Sequence, residues 1–188
     1  MDTSRFAVLR KLAFFVEFED VEVWEALRIS SWRTVGEGTL LMQEGEEGKN
    51  FGIVIQGEVE VSIDGKHLAM LGPGEVFGES SYLDRFSSKR TATVVSASPL
   101  TYLDINAAAL ALASEECIEH FQQRMVSILA QRFAQAGSRL AEGAEPSSLV
   151  SSVKSVAFEL ALVDDTRPAP EPAHASTGSW PERPKSAL

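Results

Sequence analysis

The chain has 188 residues, 44% of them hydrophobic and 23% charged, the composition of a globular protein with one domain of ordinary size and some additional chain. Its 17 basic against 27 acidic residues give a formal charge of -10, so the field of the whole molecule repels phosphate backbones and anionic lipid surfaces, and neither DNA nor a membrane is an expected partner. A single cysteine, Cys117, excludes an internal disulfide framework and any multi-cysteine metal site.

The N-terminus lacks a basic region followed by an apolar stretch and a small-residue cleavage site, and no apolar run approaches the roughly 20 residues of a membrane span. A cytoplasmic protein is the expectation. Residues 1–31 read as a helical lead-in. Phe6, Leu9, Leu12 and Val16 recur at spacings of three and four, and a second short helix starts at Val21 with Asp20 as N-cap, turning Trp24 and Leu27 toward a core.

Ten of the 13 glycines lie between Gly36 and Gly78, which marks a change of structure type. Residues 32–105 carry short β-rich runs, Thr39 to Met42, Phe51 to Ile55, Val59 to Ile63 and Thr93 to Val95, separated by glycines or charged turns. Asp64-Gly65 is a hairpin signal, because a type I′ turn needs positive φ at both central residues. Many short strands joined by tight turns predict a β-sandwich, roll or barrel.

Residues 106–142 turn helical again. Asn106 and Ser114 are N-cap candidates, and Glu115 and Glu116 suit the positive end of the helix that follows. Ile118, Phe121, Met125, Leu129, Phe133, Ala136 and Leu140 form one apolar stripe along a long helix reaching about Ala141. That stripe is either core or a seam between two copies of the chain. Residues 143–188 hold one short helix, Ser148 to Leu162, and a Pro, Ala and Ser-rich tail expected to be disordered.

The segment Phe77-Gly78-Glu79-Ser80-Ser81-Tyr82-Leu83, followed by Arg90-Thr91-Ala92-Thr93-Val94, carries the chemistry. A glycine, a carboxylate and two small residues opening a helical turn aim backbone N–H groups outward, as an anion site requires. An arginine arriving from the next strand adds a two-pronged clamp on a phosphate. Glu79 can accept a hydrogen bond from a sugar hydroxyl, and it can offset the charge of a partly buried Arg90.

Both halves of this segment resemble the phosphate-binding cassette of the cyclic nucleotide-binding domain family, found in catabolite activator proteins, cyclic-nucleotide-dependent kinases and gated channels. Leu41-Met42-Gln43-Glu44-Gly45-Glu46-Glu47-Gly48, followed by Phe51-Gly52-Ile53-Val54-Ile55-Gln56-Gly57, resembles the family's other signature, a strand, an acidic glycine turn, a strand and a glycine. Gly72-Pro73-Gly74-Glu75-Val76 is similar to the turn that leads into the cassette. The resemblance covers roughly Ala13 to Ala141. It implies a mainly β fold with flanking helices: an eight-stranded, jelly-roll-like β-roll with N-terminal helices and two C-terminal helices, the last one long.

Carried over by position, the resemblance gives Glu79 the ribose 2′-hydroxyl and Arg90 the cyclic phosphate. It sets Gly78, Ser80 and Ser81 near sugar and phosphate, with Thr91 and Ala92 just after the arginine. Ser80 and Tyr82 stand where the family usually has aliphatic residues, Gly52 interrupts a usually apolar run, and Lys89 replaces a common proline. The implied ligand is cAMP or cGMP, with no metal. Thr91 could hydrogen-bond a guanine or be an ordinary strand threonine.

Acidic Glu44, Glu46 and Glu47 read as a solvated turn, since one such turn lacks the six to eight ligands calcium takes. His67, His120 and His174 have no metal-binding spacing, and Cys117 reads as packing, with no histidine placed as its base. The expectation is a regulatory domain without catalytic activity. It would be a homodimer through the long helix and signal to an effector such as a serine/threonine kinase, whose lead-in segments the stretch Leu9 to Trp32 resembles. The alternative is a nucleotide-independent dimerisation or scaffold module with a vestigial pocket.

Overall fold

The structure is a computed structural model that describes residues 3–83 and 88–141. Helix α1 (Thr3–Leu9), a single 3-10 turn (Ala13–Phe15) and helix α2 (Asp20–Ile29) precede the strands. These are β1 (Ser30–Val35), β2 (Leu40–Met42), β3 (Asn50–Gln56), β4 (Val59–Ile63), β5 (Lys66–Leu71), β6 (Val76–Phe77), β7 (Thr93–Ser96) and β8 (Leu100–Asn106). One helical turn, α3 (Ser80–Leu83), follows β6, and α4 (Ala107–Leu110) and α5 (Glu115–Ala141) follow β8. The strands form two antiparallel four-stranded sheets, ordered β1-β8-β3-β6 and β2-β7-β4-β5, the expected mainly β roll with flanking helices.

Strand β3, interior to the first sheet, is buried on both faces, which is why it reads as a near-continuous apolar run instead of alternating. Val54, Phe77 and Leu100 face the second sheet and pack with Met42, Val59, Leu71 and Val94. Phe51, Ile53, Val76, Leu103 and Ile105 face the helices. Gly52, which breaks the apolar run, lies opposite Phe77 in the register. A Cβ at Gly52 would sit 2.1 Å from the tip of the Phe77 ring, so the glycine makes room for that ring in the core between the sheets. At the β4–β5 hairpin Asp64 and Gly65 have φ of 50° and 71°, as a type I′ turn demands.

The lead-in departs from a single periodic helix. Helix α1 stops at Leu9, where Arg10 donates to the carbonyls of Phe15 (3.2 Å) and Phe18 (2.7 Å) and folds the chain into a tight turn. That turn sends Phe14, Phe15 and Phe18 inward and leaves Val16, expected on the apolar face, 66% exposed. Helix α2 begins one residue earlier than expected, with Glu19 as N-cap and its N–H donating to the Glu22 carboxylate (2.6 Å). Trp24 stacks on Phe6 at 4.6 Å, and Leu27 packs against the core. Strand β1 starts at Ser30, inside the expected helical lead-in, and pairs along β8. Its polar sequence and mixed exposure hid it from a pattern search.

Asn106 caps α4 by accepting from the Ala108 N–H (2.8 Å), and Ser114 caps α5 by accepting from the Cys117 N–H (3.3 Å). Glu25 of α2 accepts in turn from the Ser114 N–H and hydroxyl, which ties α2 to the start of α5. Cys117 is fully buried, and burial pushes its thiol up to about 12, so it packs and does not form a thiolate. The helix expected over Ser148–Leu162 and the tail after it lie outside the described residues.

The described part of the stripe on α5 is covered by its own chain. Phe121 and Met125 are fully buried and Leu129 nearly so. Phe121 meets the rings of Phe14, Phe18 and Phe51 at 5.4, 5.1 and 6.1 Å. A dimer seam on Phe121, Met125 and Leu129 therefore loses its premise, because those side chains already fill the core between helices and sheet. The side chains of Phe133, Ala136 and Leu140, expected to extend the stripe, are not among the described ones.

Phe121→Ala is expected to lower stability by about 3–5 kcal/mol. Urea unfolding would record this as a midpoint shift independent of protein concentration. A midpoint that climbs with concentration in the wild type and not in the variant would instead place Phe121 between two copies.

Candidate functional site

Strand β6 ends at Phe77, and the chain enters a sharp turn at Gly78, whose φ is +74°. A side chain there would be strained, and its Cβ would fall 2.4 Å from the Met42 sulfur. Glu79 follows, and its carbonyl accepts from the Tyr82 and Leu83 N–H groups at 3.0 Å each, which builds the single turn α3. Tyr82 closes the back of the turn against Phe51, at 5.2 Å between rings, and burial raises its phenol above the ordinary value. The aliphatic residue expected at position 82 is thus replaced by a ring that still packs on the core.

Arg90 is the centre of the site and is only 7% exposed. Its Nη1 donates to the Ser81 hydroxyl (2.6 Å), the Asn50 carbonyl (2.7 Å) and the Gly78 carbonyl (3.1 Å), and its Nη2 donates to the Asn50 side-chain oxygen. Asn50 is oriented for this by donating to Asp104 on the neighbouring strand β8 (2.8 Å). Burial pulls the Arg90 guanidinium below its ordinary value, while the nearby carboxylates of Asp104 and then Glu79 pull it back up. The group stays charged at physiological pH.

The acidic glycine turn serves this arginine. Arg90 donates its N–H to the Glu46 carbonyl (2.7 Å) and accepts from the Gly45 N–H (2.9 Å), while Gly48 donates to the Ser88 carbonyl (2.8 Å). The guanidinium lies so close to Gly48 that a Cβ there would stand 2.6 Å from Nη2. Glu44 accepts from the Asp64 N–H (2.8 Å) and so ties the same turn to the β4–β5 hairpin. Among the described residues no cluster of His, Cys, Asp and Glu could hold a metal ion.

Glu79 is 3% exposed; it lies near enough to Arg90 to help offset its charge, and its hydrogen-bonded partner is Arg132 of α5. The second prong of Arg132 donates to the Val76 carbonyl of β6 (2.6 Å). Gly78, Glu79, Ser81 and Arg90 therefore converge, with Ser80 half-buried at the start of α3. Thr91 and Ala92 lie on the stretch between Arg90 and β7, Thr91 exposed and Ala92 half-buried. Sequence reading missed Asn50, Asp104 and Arg132, and it placed Gly48 in the acidic glycine turn without its contact to Arg90. Asn50 left one trace, a polar side chain at the head of an otherwise apolar strand, while nothing in the sequence separates Arg132 from the other arginines of α5.

The family model for the cyclic nucleotide-binding domain matches residues 32–115. Over 92 residues the chain is 34% identical to a cGMP-dependent protein kinase of Plasmodium berghei (strain Anka), a match spanning 48% of this chain and 10% of that one. The chain spans about a tenth of the length of the curated relatives it matches. Among solved structures it is similar to a cyclic nucleotide-binding domain from Methylobacillus flagellatus KT, at 21% identity and TM-score 0.64, covering 74% of this chain and 82% of that one. It is also similar to the regulatory subunit of a cAMP-independent protein kinase A from Trypanosoma brucei, at 21% identity and TM-score 0.56, covering 65% of this chain and 45% of that one. Among the described residues no helix is long and apolar enough to cross a membrane.

Asn50→Ala removes the side-chain acceptor of a buried cation and leaves Asp104 without its amide donor. A stability loss of about 1–3 kcal/mol is expected in urea unfolding. A loss under about 0.5 kcal/mol, the range of an ordinary surface substitution, would mean that Ser81 and the two carbonyls suffice to hold Arg90.

Proposed function

Residues 32–115 belong to the cyclic nucleotide-binding domain family, and from that premise we propose that the chain is a cyclic nucleotide-sensing regulatory module without catalytic activity of its own. Residues 32–105 act as the sensor and residues 106–142 as the reporting helices. The observation that carries this reading is the buried Arg90 guanidinium, held on the same turn as Gly78 and Ser81 and close to the Glu79 carboxylate. A cyclic phosphate offers Arg90 an anion in place of neutral acceptors, and the first amides of the Gly78-Glu79-Ser80-Ser81 turn add donors. Glu79 takes the sugar hydroxyl, and Thr91 and Ala92 border the base.

The output is mechanical. Phosphate capture shifts the population of positions available to α4 and α5, and an effector, such as a kinase domain on the same or another chain, reads that position. The kinase relatives support the choice of effector class. The charge of -10 gives the module no general attraction to nucleic acid.

A second reading is favoured by one specific observation. Both charges of the site already have intrachain partners, Glu79 in Arg132 and Arg90 in Asn50, Gly78 and Ser81. A self-satisfied pocket suits a nucleotide-independent scaffold.

Calorimetric titration with cAMP and with cGMP, separately, discriminates the two. On the sensing reading at least one nucleotide binds, and Arg90→Ala abolishes binding at micromolar ligand. Losing one partner of a desolvated charge pair costs about 3–5 kcal/mol, or roughly two to four decades in Kd. Arg90→Lys keeps the charge and loses the two-pronged geometry, so it should weaken binding while sparing the fold. Unchanged affinity in both variants removes Arg90 from the pocket, and no binding by the wild type favours the scaffold.

Thr91→Ala tests the base. If Thr91 donates to a guanine, cGMP affinity falls by the roughly 0.5–1.5 kcal/mol of a neutral hydrogen bond, with cAMP unchanged. Equal losses for both nucleotides would mean that Thr91 acts by shaping the turn after Arg90.

A further inference from the structure

Three adjacent strands of the first sheet, β1, β8 and β3, carry one polar row toward Arg90. Side chains alternate between the faces of a strand, so Asn50 shares a face with Val54, toward the second sheet, while Phe51 and Ile53 take the other. On β8 the same rule puts Asp104 beside Tyr102, whose ring packs on Phe77 at 5.5 Å, while Leu103 and Ile105 turn to the helices. Asn50 and Asp104 meet as a diagonal pair, because Asn50 lies opposite Asn106 in the register and Gly52 opposite Asp104. Arg33 of β1 ends the row, with its Nε 3.8 Å from Asp104 Oδ2.

The Asn50 amide therefore stands between an anion and a cation. Its nitrogen donates to Asp104 Oδ1 (2.8 Å), and its oxygen accepts from Arg90 Nη2. Turned over, the amide would set donor against donor at Arg90 and oxygen against oxygen at Asp104, so a side chain held at both ends has one orientation. The acceptors that described residues give the guanidinium are neutral: two carbonyls, one amide oxygen and one hydroxyl. Burial lowers the Arg90 guanidinium from its ordinary value, and the charge of Asp104, ahead of that of Glu79, raises it again from behind the amide.

We propose that Asp104 is a positioning residue for the anion subsite: by anchoring the Asn50 amide from behind, it fixes the direction in which the Arg90 guanidinium is presented to a phosphate. This rests on the nucleotide reading of the pocket. A carboxylate bonded directly to the guanidinium would hold it as a closed ion pair. An amide in between passes on direction and leaves the full positive charge to face the ligand.

Two substitutions separate direction from charge. Asp104→Asn removes the charge and keeps an oxygen for the Asn50 amide, whereas Asp104→Ala removes both. In calorimetric titrations of the full chain with cAMP and with cGMP, Asp104→Asn should bind as well as wild type or tighter, since a negative charge near the phosphate is gone. Asp104→Ala should bind about 10-fold weaker than Asp104→Asn, the scale of one hydrogen bond to a charged group. The loss should be equal for the two nucleotides, because both carry the cyclic phosphate. A second readout needs no nucleotide: exchange of the Arg90 Nη2 protons with water, followed by NMR, should be several-fold faster in Asp104→Ala and unchanged in Asp104→Asn. Should Asp104→Ala not fold, Asp104→Val, which also lacks the acceptor and suits a strand, takes its place.

Equal affinities for the alanine and asparagine variants overturn the proposal, whether both match wild type or both fall, because the anchored amide would then contribute nothing beyond charge. Equal exchange at Arg90 in the two variants overturns it as well. If wild type binds neither nucleotide, the sensing reading fails, and the exchange comparison alone decides whether Asp104 positions Arg90.

Discussion

The structure depends on keeping a buried guanidinium satisfied. Arg90 carries a charge that costs several kcal/mol to remove from water, and the fold answers with acceptors drawn from three separate places. Asn50 supplies two of them from the head of β3, Gly78 one from the exit of β6, and Ser81 one from α3. The acidic glycine turn fixes the backbone on either side, with Arg90 hydrogen-bonded at both its N–H and its carbonyl. Two glycines exist for the same reason. Gly48 lets the flat guanidinium lie against the backbone, and Gly78 makes a turn that neither φ nor the nearby Met42 sulfur would allow with a side chain.

The double burial of β3 joins this site to the helices. Strand β3 carries Asn50 at its head, Phe51 and Ile53 toward the helices, and Val54 toward the second sheet. Phe51 touches Tyr82 of the cassette turn on one side and Phe121 of α5 on the other. In a close-packed interior these rings place α3 and α5 on opposite sides of one side chain. The helix and the cassette are thereby joined twice, by an apolar contact at Phe51 and by an ionic one at Arg132. The apolar contact is fully buried, and in the ionic one Arg132 is the more exposed partner.

What could be read from the sequence was whatever local chemistry fixes. Asp64-Gly65 demanded a hairpin, Asn106 and Ser114 demanded helix starts, and the spacing from Gly78 to Arg90 fitted one known kind of turn. What could not be read was pairing across distance. Glu79 does help offset the charge of Arg90, as its place in the motif allows, but the guanidinium it hydrogen-bonds is one that only the fold brings near, that of Arg132, 53 residues away. The stripe on α5 was legible as apolar, but its cover, three phenylalanines from the lead-in, depended on a tight turn that Arg10 builds by side-chain hydrogen bonds. Strand β1 escaped for a related reason, since its place is fixed by pairing with β8 and not by an apolar pattern of its own.

On the sensing reading, the two ends of a ligand do unequal work. At Glu79 a sugar hydroxyl meets a carboxylate that already accepts from Arg132 through one oxygen and has a second to offer, so what it adds is one hydrogen bond to an ionised partner. At Arg90 the gain is larger, because neutral carbonyl, amide and hydroxyl acceptors give way to an anionic phosphate in a setting where screening by water is poor. The driving force therefore enters at the phosphate, and the sugar contact sets orientation. A ligand that engages both must match the distance between Arg90 and Glu79, which the cassette turn sets.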